Sequence, residues 1–454
     1  MCSVRKLDDD KTFPQPDPSA KDGRFHSLYL EPPDFKRLAR CDPDFAALVS
    51  GRRLDFGDPA SVMQLSKTLL KLDFGLDLVL PQDRLCPPIP NRHNYVLWLK
   101  GLLDTSSYSP PGQELLGLDI GTGASCIYPL VACVQRPWSF VATDIDAESL
   151  AWARRNVQLN KLGHRIRVVD RNADDDLIPL DHLGLDSIDF VMTNPPFYAS
   201  EADMLESARR KARPPWSACT GSRTEMVVEG GEVAFVGRIM SESLVLGRRV
   251  GWYSATLGFY ASVANLVGRL KEHDIHNYAV TEFVQGAKTR RWAVAWSFGP
   301  MRPSQAVARG IKATSDLLPA ATEAEVASSA LPTECVGEFV RRLKNAIEAL
   351  DLMSWTWDAQ ALEGTGRAPG RVWARAWRRK KKLEAEKATD DGPMHEAEPA
   401  CVLGFRVEIR VALRLVSVRC RWLEGVDAAA FESFQGFLQA AARTAFADGG
   451  GERG

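Results

Sequence analysis

Four short apolar runs, at 115–120, 140–143, 166–169 and 188–192, follow one another with room for a helix between neighbours. Runs so short and so continuously apolar read as strands buried on both faces of a parallel sheet. A helical stretch at 126–133 follows the first run. A helix at 232–246, a strand at 252–257 and two strands at 278–284 and 292–298 complete a predicted seven-stranded sheet. The fold class over residues 25–300 is therefore α/β, an open Rossmann-like sheet. Ahead of it, 34–48 and 58–70 have helical spacing and each opens on an acidic cap, Asp34 and Asp58, giving an N-terminal helical extension. Residues 1–24 are polar and dotted with proline, the pattern of a mobile arm.

Beyond the sheet the patterning changes. Residues 301–333, rich in Ala, Ser and Pro, read as a linker. A smaller α+β domain is predicted at 334–447, from a helix at 333–350, a segment at 354–358, an alternating run Phe405, Val407, Ile409, Val411, Leu413, Leu415, and a closing helix at 428–446. An insertion near 363–400 is expected to be disordered, most clearly at 384–399. It begins with a basic stretch, Arg371 to Lys382, in which Trp373 and Trp377 are interleaved with cations. That mixture suits RNA binding or a nuclear localisation signal, and suits a solvated charged helix equally well.

Composition narrows the classes. With 454 residues and 45% hydrophobic content the chain can build two or three cores, and its formal net charge of -1 makes any nucleic-acid footprint local rather than global. Nine cysteines are scattered without a C-x-x-C pair or histidines at ligand spacing, which speaks for reduced thiols and against a structural metal. No run approaches membrane-spanning length, and the start lacks a signal-peptide core.

The candidate chemistry lies at the ends of the strands. The first run leads into Gly121-Thr122-Gly123-Ala124-Ser125, a glycine turn that lets backbone approach a ligand, and the second ends in Asp144, placed to accept from ribose hydroxyls. The fourth delivers Asn194-Pro195-Pro196-Phe197 to the same edge. A planar amino group must be turned toward an incoming methyl group. The Asn194 side-chain oxygen and the Pro195 carbonyl can accept from one NH2, the prolines fix φ, and Phe197 stacks on the base. No general base is needed, because the extra proton is lost after transfer. A G-x-G without a third glycine, in a chain with this tetrad, fits S-adenosyl-L-methionine better than a dinucleotide.

Taken in order, several segments resemble the methyltransferase-like protein 16 family of adenosine-N6 RNA methyltransferases, whose bacterial relatives modify the large ribosomal RNA. They are Pro32 to Phe35, Asp73 to Leu76, Arg92 with Asn94 and Tyr95, Leu118 to Leu130, the tetrad, Glu229 to Glu232, Trp252 to Ser254, and Arg291 to Phe298. The resemblance covers roughly 25–299. It implies a class I methyltransferase domain in which Arg92 takes the methionine carboxylate, Gly121, Gly123 and Ser125 line the cofactor, and Asp144 holds the ribose. A cofactor-gating loop maps to 172–176, with the adenine contact at Asp175. Relatives have a Lys-Thr pair there, whereas this chain has Asp174, Asp175 and Asp176.

Arg209, Arg210, Lys211 and Arg213, in a long loop-like segment after the tetrad, and Lys288, Arg290 and Arg291 flank the predicted acceptor pocket, where phosphate contacts position an RNA without reading it. The target adenine must be unstacked, so a bulge or loop of a structured RNA is expected. The resemblance implies U6 small nuclear RNA, with ribosomal RNA or messenger hairpins as alternatives, a C-terminal RNA-binding module, and a nuclear enzyme, the cytoplasm being the other location. Two rival readings stand beside it. One is the same chemistry on cytosine N4 or protein glutamine, and the other a non-catalytic RNA-binding or splicing-associated factor that retains the fold.

Overall fold

Eight strands make the larger sheet of this computed structural model, which describes residues 18–50, 53–210, 223–285, 289–387, 400–413 and 415–449. They are β1 (Leu116–Ile120), β2 (Ser139–Asp144), β3 (Ile166–Asp170), β4 (Ile188–Thr193), β5 (Val250–Leu257), β6 (Tyr278–Gln285), β7 (Thr289–Trp296) and β8 (Arg309–Gly310). Their order is β8-β6-β7-β5-β4-β1-β2-β3, and only β7 runs antiparallel to its neighbours. Helices cover both faces, so two apolar clusters form, one against Ile89–Thr105 and Ile127–Gln135 and one against Gly231–Leu246 and Tyr260–Glu272. Gly117 in β1 lets the first cluster close, since a Cβ there would meet the Phe190 ring at 2.4 Å. The seven expected strands are joined by a two-residue eighth, Arg309–Gly310, which pairs with Val280 and Thr281.

That eighth strand corrects the expectation of a linker at 301–333. Gln305–Ala308 is helical and packs by its Ala308 into the catalytic core, and Glu323–Ala330 is an edge strand of the second domain. The arm is corrected likewise from residue 18 onward; residues 1–17 lie outside the described part. Pro18–Ser27 is a helix, with Asp22 at 2.7 Å from both Lys100 and Arg136. Phe25 is 2% exposed and stacks on Phe74. The Phe25 carbonyl can only accept, so His93 Nε2 donates to it at 2.8 Å, and burial holds this imidazole neutral by lowering its pKa to about 4. The helix expected over 34–48 is two short ones, Phe35–Cys41 and Pro43–Ala46, because Asp42 ends the first and caps the second, accepting from the N–H groups of Asp44 and Phe45.

The second domain is a five-stranded antiparallel sheet, β9 (Glu323–Ala330), β10 (Ser354–Asp358), β11 (Glu363–Ala368), β12 (Leu403–Ala412) and β13 (Leu415–Glu424), in the order β9-β13-β12-β11-β10. Helices Thr333–Glu348 and Ala428–Gly449 share its core, with Phe339 stacked on Phe446 at 4.2 Å and Phe405 packed on Phe434 at 4.2 Å. The expected disordered insertion near 363–400 is corrected at both ends of its described part. Residues 363–368 are the inner strand β11, Arg375–Lys387 is a helix, and 388–399 lie outside the described residues. The tryptophans of the basic stretch are used internally. Trp373 donates to Ser433 Oγ and packs on Phe434, and Trp377 donates to Asp351, leaving Arg375, Arg378 and Arg379 exposed.

The alternating run 405–415 is not one strand. It turns at Leu413, which is fully exposed with φ 51°, and β13 begins at Leu415. Partners across the turn pair odd with even numbers, Ala412 with Leu415 and Val411 with Val416, so the buried set passes from Phe405, Val407 and Ile409 to Val416, Val418, Cys420 and Trp422. Alternation alone shows no break there.

Arg302 bolts the domains together. Only 4% exposed, it donates from Nε to the Gly425 carbonyl at 2.8 Å and from Nη1 to the His276 carbonyl at 3.3 Å, and lies 4.2 Å over the Trp422 ring. Burial lowers its pKa to about 10. Tyr108 donates to Glu424 and Arg421 to the Thr105 carbonyl at the same seam. This seam lies at the last turn of the helix Ile89–Thr105, whose first turn carries Arg92 about 20 Å away at 1.5 Å rise per residue. We expect Arg302→Leu to destabilise the chain by about 2 kcal/mol, since it strands buried carbonyls. Thermal melting would show the drop, and limited proteolysis new cleavage between residues 300 and 325; a variant as stable and as resistant as the parent would contradict this role.

Candidate active site

A cavity of about 240 Å³ opens at the carboxyl ends of β1, β2 and β4. Its wall contains Arg92, Gly121, Gly123, Ser125, Asp144, Asp175 and Asn194, every position singled out from sequence for the cofactor. The floor is the turn after β1. Gly121 and Gly123 have φ of 72° and 62°, conformations that glycine adopts without strain. The N–H groups of Gly121 and Thr122 both donate to the Thr143 carbonyl at 2.9 Å. Asp144 Oδ2 accepts from the Gly123 N–H at 2.8 Å, and Oδ1 from those of Ile145 and Asp146 at 2.8 and 3.0 Å. Burial raises the Asp144 pKa against the pull of these bonds. Three of about four acceptor positions on this carboxylate are thus filled by backbone, leaving room for a hydroxyl.

Arg92 Nη1 donates to the Tyr128 hydroxyl at 2.8 Å and to Asn194 Oδ1 at 2.9 Å, with the guanidinium 5.3 Å over the Tyr128 ring. Among the described residues no carboxylate lies within ion-pair distance of it, and its buried Nε has no partner. Asp119, at the end of β1, is the converse and was missed in the sequence. It is fully buried, and neither carboxylate oxygen reaches a partner at hydrogen-bonding geometry. Burial raises its pKa to about 7; Thr122 and Arg92 offset part of the effect and Asp144 adds to it. The signal was available, as an acidic residue in an otherwise apolar strand two positions before the glycine turn. A half-buried guanidinium on the cavity wall without a carboxylate partner, and an orphaned buried carboxylate just behind that wall, fit an amino-acid-like group carrying both a carboxylate and an ammonium, which S-adenosylmethionine has.

The aspartate run closes a turn of its own. Asp175 Oδ2 accepts from the Asn172 N–H at 2.8 Å, which lowers its pKa, and Arg238 donates to the carbonyls of Ala173 and Asp175.

The tetrad follows β4. Thr256, in β5, donates to Asn194 Oδ1 at 2.9 Å. Pro195 and Pro196 border the cavity, and Phe197 lies under Arg291, whose guanidinium is 5.3 Å from the ring centroid. The Glu229-Gly230-Gly231-Glu232 segment backs this corner. Gly230 and Gly231 have positive φ, a Cβ on Gly231 would sit 3.4 Å from the Phe197 carbonyl, and buried Glu232 accepts from the N–H groups of Gly258 and Phe259. Of the remaining cations, Arg290 is exposed and paired with Glu282 at 2.7 Å. Arg209 and Arg210 end the helix Glu201–Arg210, while Lys211, Arg213 and Lys288 lie outside the described residues. Among the described residues no cluster of His, Cys, Asp or Glu is placed to hold a metal ion, and no helix is long and apolar enough to cross a membrane.

Asp119 yields a test with a definite sign. Its folded pKa lies above the unfolded value of 3.8, so stability is lost as pH rises from about 4 to about 7 and the deficit is constant above that. Asp119→Asn is expected to raise the melting temperature of the ligand-free protein by about 3 °C at pH 8 and to leave it unchanged at pH 4. The same variant is expected to lose most of the thermal shift produced by S-adenosylhomocysteine; an unchanged shift would remove Asp119 from the cofactor site.

Comparison with known proteins agrees with this geometry. A profile described as an RNA methyltransferase family matches residues 21–300. A U6 small nuclear RNA (adenine-(43)-N(6))-methyltransferase from Schizosaccharomyces pombe is 33% identical over 395 residues, 87% of this chain and 96% of that protein. The human RNA N(6)-adenosine-methyltransferase METTL16 is 42% identical over 283 residues, 59% of this chain and 49% of its own, so the chain spans about half the length of that relative. The human catalytic domain solved in complex with the MAT2A 3'UTR hairpin 1 superimposes with a TM-score of 0.54 at 41% identity, covering 59% of this chain and 92% of that one. A profile match over more than half of the sequence, together with near end-to-end alignment to the S. pombe protein, shows that the chain belongs to the methyltransferase-like protein 16 family of RNA methyltransferases.

Proposed function

We propose that this chain methylates the N6 amino group of an unstacked adenine in a structured RNA, with U6 small nuclear RNA as the substrate. The observation that carries the proposal is the position of Asn194, which lines the same cavity as Gly121, Gly123 and Asp144 and whose side-chain oxygen faces Arg92 there. The S. pombe relative, matched along nearly its whole length, acts on adenine 43 of U6 small nuclear RNA, and a small nuclear RNA substrate supports residence in the nucleus.

Bound S-adenosylmethionine supplies an electrophilic methyl group. Arg92 and Asp119 would hold its carboxylate and ammonium, and Asp144 its ribose. The chain's remaining task is to orient the acceptor. Asn194 Oδ1 and the Pro195 carbonyl accept from the amino group, which draws its hydrogens into their plane and turns the nitrogen lone pair toward the donor. Phe197 stacks on the base, and Arg291, 5.3 Å from the centroid of the same ring, adds a cation to the platform. The Arg291 pKa is lowered by burial, so it contributes a partly desolvated cation rather than a freely solvated one. Exposed Arg375, Arg378 and Arg379 on the second domain suit phosphate contacts at a distance from the chemistry.

The test is methyl transfer from labelled S-adenosylmethionine to transcribed U6 small nuclear RNA, beside a copy whose candidate loop adenines are changed to guanine. Label is expected on the unaltered RNA alone, and Asn194→Ala is expected to lower kcat by ~10²–10³ while still binding cofactor, the range for loss of one preorganised polar group. Label on a protein acceptor, or on no RNA despite cofactor binding, would overturn the proposal.

A further inference from the structure

Asn194 Oδ1, the atom that must accept from the adenine amino group, is already fully used. Arg92 has donors only, so the Asn194 atom facing it at 2.9 Å is the amide oxygen and not the nitrogen. Thr256 Oγ1 has acceptors on both sides, Asn194 Oδ1 at 2.9 Å and the Thr193 carbonyl at 3.4 Å, so its one proton goes to the nearer. A carbonyl oxygen has two lone pairs, and these two donors take both. The two bonds differ in kind. Thr256 is 6% exposed and fixed in the sheet. Arg92 is at the first turn of its helix, borders the cavity, and is held there by neutral oxygens alone, with no carboxylate at ion-pair distance among the described residues.

We propose that Arg92 keeps the adenine site closed until the cofactor carboxylate draws its guanidinium away from Asn194, so that recognition of the amino group is conditional on bound cofactor, while Thr256 holds the freed oxygen in place. The proposal rests on the reading of the site as an adenine-N6 methyltransferase. A guanidinium exchanges two neutral acceptors for a carboxylate with a gain in charge-assisted hydrogen bonding, which supplies the direction. Asn194 cannot turn to meet the amino group while both donors stay, because rotation would put its NH2 against Arg92. Linkage makes the effect reciprocal, so an RNA that engages Asn194 tightens the cofactor by the same factor.

The experiment compares two hairpins derived from the RNA that accepts label, one with the target adenosine and one with purine riboside, which lacks only the amino group. Dissociation constants are measured by fluorescence anisotropy with and without saturating S-adenosylhomocysteine. For the adenosine hairpin the cofactor product is expected to tighten binding by about fivefold, the equivalent of one hydrogen bond, and for the purine hairpin by less than about twofold. In Arg92→Met the adenosine hairpin is expected to bind without cofactor about as tightly as it binds the parent protein with it. Thr256→Val is expected to lower kcat with little change in KM, and Thr256→Ser to restore it. Equal responses of the two hairpins in the parent protein, a measurement that needs no variant to fold, would overturn the interlock while leaving the methyltransferase reading intact. Failure of every RNA to accept label would overturn that reading and the interlock with it.

Discussion

The site depends on a small set of backbone hydrogen bonds at the ends of two neighbouring strands. Thr143 offers its carbonyl to the N–H groups of Gly121 and Thr122, and Asp144 offers its carboxylate to that of Gly123. A turn with two left-handed glycines has many conformations open to it, and these bonds select one. Once it is selected, the cavity has a floor, Asp144 has a fixed orientation, and the end of β4 brings Asn194 into the wall. The parallel arrangement of β1, β2 and β4 is what sets the three segments side by side, and it follows from the apolar runs that make those strands acceptable on both faces.

Much of this was legible in the sequence, for a physical reason. Strands buried on two faces leave a strong apolar signal, and the residues that matter chemically sit where that signal stops, at Gly121, Asp144 and Asn194. Asp119 escaped notice because it lies inside the signal: as a lone acid in an apolar run it looks like an imperfection of the strand. The second domain was harder to read. Glu323–Ala330 pairs with β13 from end to end except for a bulge at Val326, yet its small side chains give no alternation that a pattern can use. At 405–415 the alternation was real and still misleading, since the turn at Leu413 preserves the rhythm while exchanging the buried parity. Trp373 and Trp377 suited a nucleic-acid platform by composition, and only the contacts with Phe434, Ser433 and Asp351 show that they belong to the fold.

The two domains meet at one end of the helix that carries Arg92 at its other end. Arg302, Arg421 and Tyr108 fasten the second domain beside the end of the helix Ile89–Thr105, and Arg92 projects from that helix's beginning. The length of that helix, about 20 Å between Arg92 and the seam at 1.5 Å rise per residue, separates the cavity from the second domain.

Asp119 and Arg92 also bear on the life of the protein between turnovers. Each is a buried or half-buried charge left without its natural counter-charge when the cavity holds no amino-acid-like group. The chain then carries an electrostatic load that a ligand removes, and unfolding is the other way to relieve it. Binding of such a group and folding of the chain are therefore coupled, so the stability of the fold depends on what fills the cavity as well as on the packing of its core.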